Sequence, residues 1–260
     1  MHQCQIYPFV EFDIANEVKA VKPLNLFGTA VLFGVPSIAL AIVLYIAIPV
    51  AVRAGIPLAT AVTVQFILVT GGLAAAAWIG AHHDRENGQR VTERLRLVRP
   101  RAKQIIAGVL LGLFMLGTFT LLEFTRGWLR NIMPWGPPAW FAEFLTKTHF
   151  QRIPLAGNWW AVLVYFIQYA FNVLGEELWW RGYILPRQER AQGTRAWLAN
   201  GFFWNLFHWF FYWNLIPLLP SCLALPWLTQ RTKSTWTAII GHGMLNGAGL
   251  VRVITLVWNP

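Results

Sequence analysis

Charge is what this sequence has least of. Of its 260 residues only 12% are Asp, Glu, Lys or Arg, about half the share of an ordinary soluble domain, while 56% are hydrophobic. A disordered chain needs low hydrophobicity, so that class is excluded. Cysteine is nearly absent too: Cys4 and Cys222 are the two in the chain, too few for a small disulfide-stapled scaffold. Eleven acidic residues stand against 21 Lys and Arg, a net charge of +10. A soluble nucleic-acid binder could carry that charge, but could not keep so much apolar surface in water. What remains is an all-α integral membrane protein, a polytopic helical bundle whose few charges are collected into loops.

What is abundant is the long apolar run, and each run of about 20 residues can span a bilayer. The runs are Leu26–Val52, Pro57–Ala81, Ile105–Thr125, Trp159–Leu185, Ala196–Trp213, Leu215–Gln230 and Trp236–Val257. Seven transmembrane helices follow. The sixth is short and holds Pro217, Pro220 and Pro226, so it is either a span or a broken, re-entrant segment. Residues 1–24 lack a basic region followed by a short apolar core, and no removable signal is expected. Residues 1–25 are expected to be a cytoplasmic segment and 26–258 a single membrane domain.

Alternating the sides from a cytoplasmic N-terminus places fourteen Lys and Arg on the inner side. The outer side receives Arg53, Arg126, Arg130, Lys147 and Arg152, and Arg181 and Arg252 fall within spans. That bias orients the N-terminus inward. The basic stretch Arg90–Lys103 is then cytoplasmic and suited to anionic lipid headgroups rather than nucleic acid. The outer loop from Arg126 to Asn158, with Trp128, Trp135, Trp140, Phe141 and Phe144, is read as interfacial aromatics, with a lid over a groove as the alternative. His82–His83, beside Asp84, is read as a solvated pair.

Against this apolar background, three acidic residues lie inside runs. Glu123 is close enough to Arg126 and the span end to reach headgroups. Glu176 and Glu177 lie deeper, about 13 Å from the inner end of the fourth span at about 1.5 Å per residue. Ionisable groups at such depth normally face a cavity or a partner. Glu177 and Arg181 are spaced i, i+4 and can pair, which reads as a helix-locking ion pair. Glu176 points elsewhere and reads as functional. His208 and His242 lie inside two further spans, and Asn246 shares a face with His242. Gly241, Gly243, Gly247 and Gly249 give that helix small-residue packing faces, which serve helix packing or substrate access equally.

Three ordered motifs hold these residues: Glu176-Glu177-Leu-Trp-Trp-Arg181, Trp204-Asn-Leu-Phe-His208 and His242-Gly-Met-Leu-Asn246. Over about residues 159–250 the chain resembles the CPBP (CAAX protease and bacteriocin-processing, or Abi) intramembrane glutamic endopeptidases, related to the Ras-converting type II CAAX prenyl endopeptidases. Their motifs read EExxxR, FxxxH and HxxxN. Trp204 replaces the usual Phe, from which changed packing is expected.

The resemblance implies hydrolysis of a peptide bond in a membrane-associated, in some branches lipidated, protein or peptide. Glu176 would be the general base, His208 would hold the water, and His242 and Asn246 would donate to the oxyanion. Glu177, Arg181 and Trp204 would support them. No cofactor is expected. A zinc site of Glu176, His208 and His242 is the lower-ranked alternative, because there is no HExxH and the ligands must come from three helices. Two other functions compete: a noncatalytic immunity or partner-binding protein on the same scaffold, and a proton-coupled transporter. The compact chain fits a prokaryotic cell membrane.

Overall fold

Every apolar run becomes helix in the computed structural model, which describes residues 21–85, 88–132 and 135–259. Most of the expected cytoplasmic segment, residues 1–20, lies outside the described residues. The seven long helices are α1 (Leu26–Arg53), α2 (Leu58–Asp84), α3 (Ala102–Leu121), α4 (Trp159–Glu177), α5 (Ala196–Phe207), α6 (Leu215–Thr232) and α7 (Thr235–Trp258). A π-helical stretch, Leu178–Ile184, carries α4 into a further helix, Leu185–Gln192. A 3₁₀ stretch, His208–Asn214, joins α5 to α6.

Among the described residues, five helical stretches are long and apolar enough to cross a membrane: α1, α2, α3, α7 and the 74 residues from Trp159 to Thr232. Seven runs reduce to five stretches because the connections from α4 to α6 stay helical. Four of the five bury only 22% of their most apolar window, and Phe27 and Phe124 are each 78% exposed. Apolar surface on that scale suits lipid rather than water, so the chain is a multi-pass membrane protein.

Local chemistry sets the helix ends. Asn25 caps α1, its Oδ1 accepting from the Gly28 N–H at 2.8 Å. Asn158 does the same for α4 through the Trp160 N–H. Lys233, in the left-handed region at φ 50°, turns the chain from α6 into α7.

The proline-rich sixth run is one continuous helix. Pro226 has no N–H to offer the Cys222 carbonyl four residues back. That carbonyl rests on Gly201 of α5, where a Cβ would come within 2.4 Å of it. The missing side chain lets α5 cover the freed carbonyl, and α6 need not break.

α7 lies against both α3 and α4, α6 lies against α3 and α5, α1 packs on α5, and α2 packs on α4. The main core holds Phe33, Met115, Trp180, Trp204, Phe207 and Leu225. Phe33 stacks on Trp180 with centroids 4.0 Å apart. α2 and α4 meet most closely at Gly175, where a Cβ would come within 2.1 Å of the Thr70 carbonyl oxygen.

The segment after α3 is not simply interfacial. Trp128 and Trp135 are exposed, but Trp140 is buried and its indole N–H donates to the Leu44 carbonyl at 2.9 Å. Leu44 lies in a π-helical turn of α1, Val43–Ala47. A hairpin of β1 (His149–Phe150) and β2 (Ile153–Pro154) turns at Gln151 and Arg152, both at positive φ. Non-glycine residues there are strained. Buried Gln151 compensates by a reciprocal amide pair with Gln168 of α4, two bonds of 2.8 Å. Glu123 lies just past the end of α3, exposed and paired with Arg126 at 2.7 Å.

The basic stretch is also more embedded than expected. Arg96 makes a bidentate pair with Glu189 at 2.8 Å, and Lys233 joins the same carboxylate. Arg94 is 4% exposed and faces Asp84 and Tyr183. Burial pushes its guanidinium down to about 10, partly opposed by Asp84, so it stays cationic at neutral pH. Arg90, Arg99, Arg101 and Lys103 are exposed, and so are His82 and His83.

Candidate active site

The end of α4 carries a polar face. Gln168, Asn172 and Glu176 recur every four residues and stack one turn above another. The helix changes from α to π directly after Glu177. Such turns are rare and collect at functional positions. Despite the change, Arg181 Nη1 reaches Glu177 Oε1 at 3.1 Å, and both residues are fully buried.

From this pair a closed ring of seven side chains can be followed. His242 Nδ1 donates to Glu177 Oε1 at 2.7 Å. A carboxylate accepts, so the proton sits on Nδ1 and Nε2 is left as an acceptor. Asn246 Nδ2 fills it at 3.1 Å, and donates its other hydrogen to Asn172 Oδ1 at 2.6 Å. Asn172 Nδ2 then donates to Glu176 Oε1 at 2.8 Å. Trp204 Nε1 donates to Glu176 Oε2 at 2.8 Å. The Arg181 guanidinium lies 3.7 Å over the Trp204 ring and closes the circle.

His208 stands beside the ring. The end of α5 frees the Trp204 carbonyl, because the His208 N–H turns to the Asn205 carbonyl as the helix tightens to 3₁₀. His208 Nδ1 donates to that freed carbonyl at 2.8 Å. The neutral imidazole therefore presents a lone pair at Nε2, which bonds to nothing among the described residues. The Trp204 ring lies between the two histidines, 5.4 Å from His208 and 5.5 Å from His242 by centroid.

The structure thus gathers all seven residues singled out from the sequence, with three differences. Glu176 is not left free: each of its oxygens accepts from a neutral donor. Trp204 does more than change packing, because its indole N–H supplies one of those donors, which Phe cannot. Asn172 was not singled out at all. Its i, i+4 spacing to Glu176 was the available signal. Gly241 packs on Leu111 of α3, and Gly243 and Gly249 receive the hydroxyls of Tyr169 and Tyr165 of α4, so these glycines act in helix packing.

Among the described residues no three His, Cys, Asp or Glu side chains form a group that could hold a metal ion. His242 has both ring nitrogens engaged within the ring. The Glu176, His208 and His242 set does not fit a zinc ion as arranged.

An apolar cavity of about 140 Å³ lies between α1, α2, Trp140, Phe141, Phe144 and Phe211. Thr70 lines it and packs on Gly175, next to Glu176. Phe211 belongs to the 3₁₀ stretch that begins at His208.

Residues 158–248 match the family model described as type II CAAX prenyl endopeptidase Rce1-like. The chain carries an Rce1-like domain. The match covers just over a third of the sequence and contains the whole ring together with His208. No curated protein and no solved structure matched the chain. The Rce1-like family is one of proteases, which implies a peptide substrate.

Proposed function

We propose that this chain is an intramembrane endopeptidase that hydrolyses a peptide bond in a membrane-associated protein or peptide. One observation carries the reading: a buried carboxylate, Glu176, is held by neutral donors beside a histidine with a free lone pair. In this mechanism Glu176 takes a proton from water while His208 Nε2 accepts the water's other hydrogen. The hydroxide oxygen bonds to the scissile carbonyl carbon, and the carbonyl electron pair moves onto oxygen. The Asn246 amide stabilises that oxyanion, whereas His242, with its Nδ1 proton on Glu177 and an acceptor at Nε2, has no donor for it and holds Asn246 instead. On collapse the C–N bond breaks, and the leaving amine takes the proton from Glu176.

Glu177 and Arg181 set the position of His242 rather than react. The apolar cavity lined by Thr70 and Phe211 is sized for one apolar side chain of a substrate. The bias of inner over outer cations supports a cytoplasmic N-terminus. The exposed Arg90, Arg99, Arg101 and Lys103 suit anionic headgroups on the inner side.

The test is a comparison of membrane peptides, by mass spectrometry, from cells carrying the wild type and E176Q. The glutamine is isosteric, removes the base and can still accept one of the two hydrogen bonds that Asn172 and Trp204 give Glu176. Peptides that accumulate uncut only in E176Q cells are the expected result. Identical peptide sets, with E176Q folded and inserted, overturn the assignment and favour a noncatalytic partner-binding role.

A further inference from the structure

The ring poses a problem for the chemistry just described. Asn246 has two amide hydrogens, and both are spent, on His242 Nε2 and on Asn172 Oδ1. An oxyanion can reach this donor only by displacing one of them. The bond to His242 fixes the imidazole, whose Nδ1 is already tied to Glu177. The bond to Asn172 is the one that can open, since Asn172 is part-buried and stays anchored through its Nδ2 on Glu176.

From this geometry we infer that Asn172 is a positioning residue that lends its side-chain oxygen to Asn246 until the oxyanion forms. The inference rests on the protease reading above. A neutral substrate carbonyl is no better an acceptor than the neutral amide oxygen of Asn172, so it gains little by exchange. An oxyanion is a charge-assisted acceptor, roughly twice as strong, and wins the donor. The Asn246 hydrogen bond is therefore withheld from the bound substrate and released to the transition state, which is the condition under which binding energy accelerates a reaction. The same carboxamide orients Glu176 through its Nδ2, so one side chain couples the base to the oxyanion donor.

Two substitutions separate these roles. N172L keeps similar bulk and removes both bonds. N172D keeps an oxygen for Asn246 and loses the donor to Glu176. The probes are fluorogenic copies of the peptides that accumulate uncut in E176Q cells, assayed with the full chain in phosphatidylcholine vesicles. N172L is expected to lower kcat about 10- to 100-fold, and to lower KM about 3- to 10-fold because Asn246 is freed for the substrate carbonyl. N172D is expected to lower kcat without lowering KM. A merely structural role would raise KM or leave both constants alone. If E176Q is inactive while N172L matches the wild type in kcat and KM, the exchange is refuted and the protease reading stands. If no cleavage depends on Glu176, both fall together. Should N172L fail to fold, N172A removes both bonds with a smaller side chain and takes its place: wild-type kcat and KM there refute the exchange.

Discussion

Replacing Arg181 by Met removes a cation from the most enclosed place in the molecule. Arg181 and Glu177 are both fully buried, and one hydrogen bond of 3.1 Å joins them. Arg181 Nε and Nη2 have no other partner, so the substitution breaks no further hydrogen bond. It does leave the Glu177 carboxylate with His242 as its one remaining partner, and Glu177 Oε2 already has none. Stranding one charge of a buried pair costs about 3–5 kcal/mol. Methionine refills most of the volume and keeps a favourable sulfur contact with Trp204, so the electrostatic loss dominates. At about 2–4 °C per kcal/mol for chains of this class, unfolding followed by circular dichroism should fall by about 6–20 °C. The E177Q/R181M double variant carries no stranded charge and should recover most of that loss. Activity should stay low in the double variant, because there His242 loses the carboxylate that fixes its tautomer. A drop of less than about 1 kcal/mol in R181M, or a double variant worse than the single, would refute the argument from burial.

Two further outcomes follow from the same geometry. W204F keeps a ring beneath Arg181 but removes the N–H from Glu176 Oε2. It should fold normally and lose about tenfold in kcat, whereas a wild-type rate would mean that this bond does not hold the base. G175A puts a methyl group about where the Thr70 carbonyl oxygen lies, 2.1 Å from the Cβ position. Forcing α2 and α4 apart should cost about 1–3 kcal/mol in detergent unfolding and shift Glu176; unchanged stability would contradict the close approach of these helices.

Much of this was legible because the membrane makes polar residues conspicuous. Glu176, Glu177, Arg181, His208, His242 and Asn246 stand out against apolar runs, and the runs themselves mark the helices. The Glu177–Arg181 pair follows from spacing alone. What could not be read depends on atoms rather than residue types. An indole N–H is invisible in a Trp that replaces Phe, so Trp204 looked like packing. Asn172 is uncharged and lost among many helix polar groups until its two partners arrive from α4 and α7. Charge counting put Arg94 and Arg96 with their neighbours on the lipid side. Asp84, on the preceding helix, and Glu189, 93 residues from Arg96, draw them into the protein instead. The three prolines suggested a break in α6, and the compensating feature, Gly201, lies on another helix.

The order of the ring along the chain has a consequence for biosynthesis. Asn172, Glu176, Glu177 and Arg181 leave the ribosome first, Trp204 and His208 follow, and His242 and Asn246 come last on a helix that packs back against α3 and α4. Until α7 inserts, Glu177 has no imidazole to hold and Asn172 has no amide to accept from. On the protease reading proposed above, a nascent chain holds both carboxylates before it can cut, and the capacity for hydrolysis would arrive with the last helix.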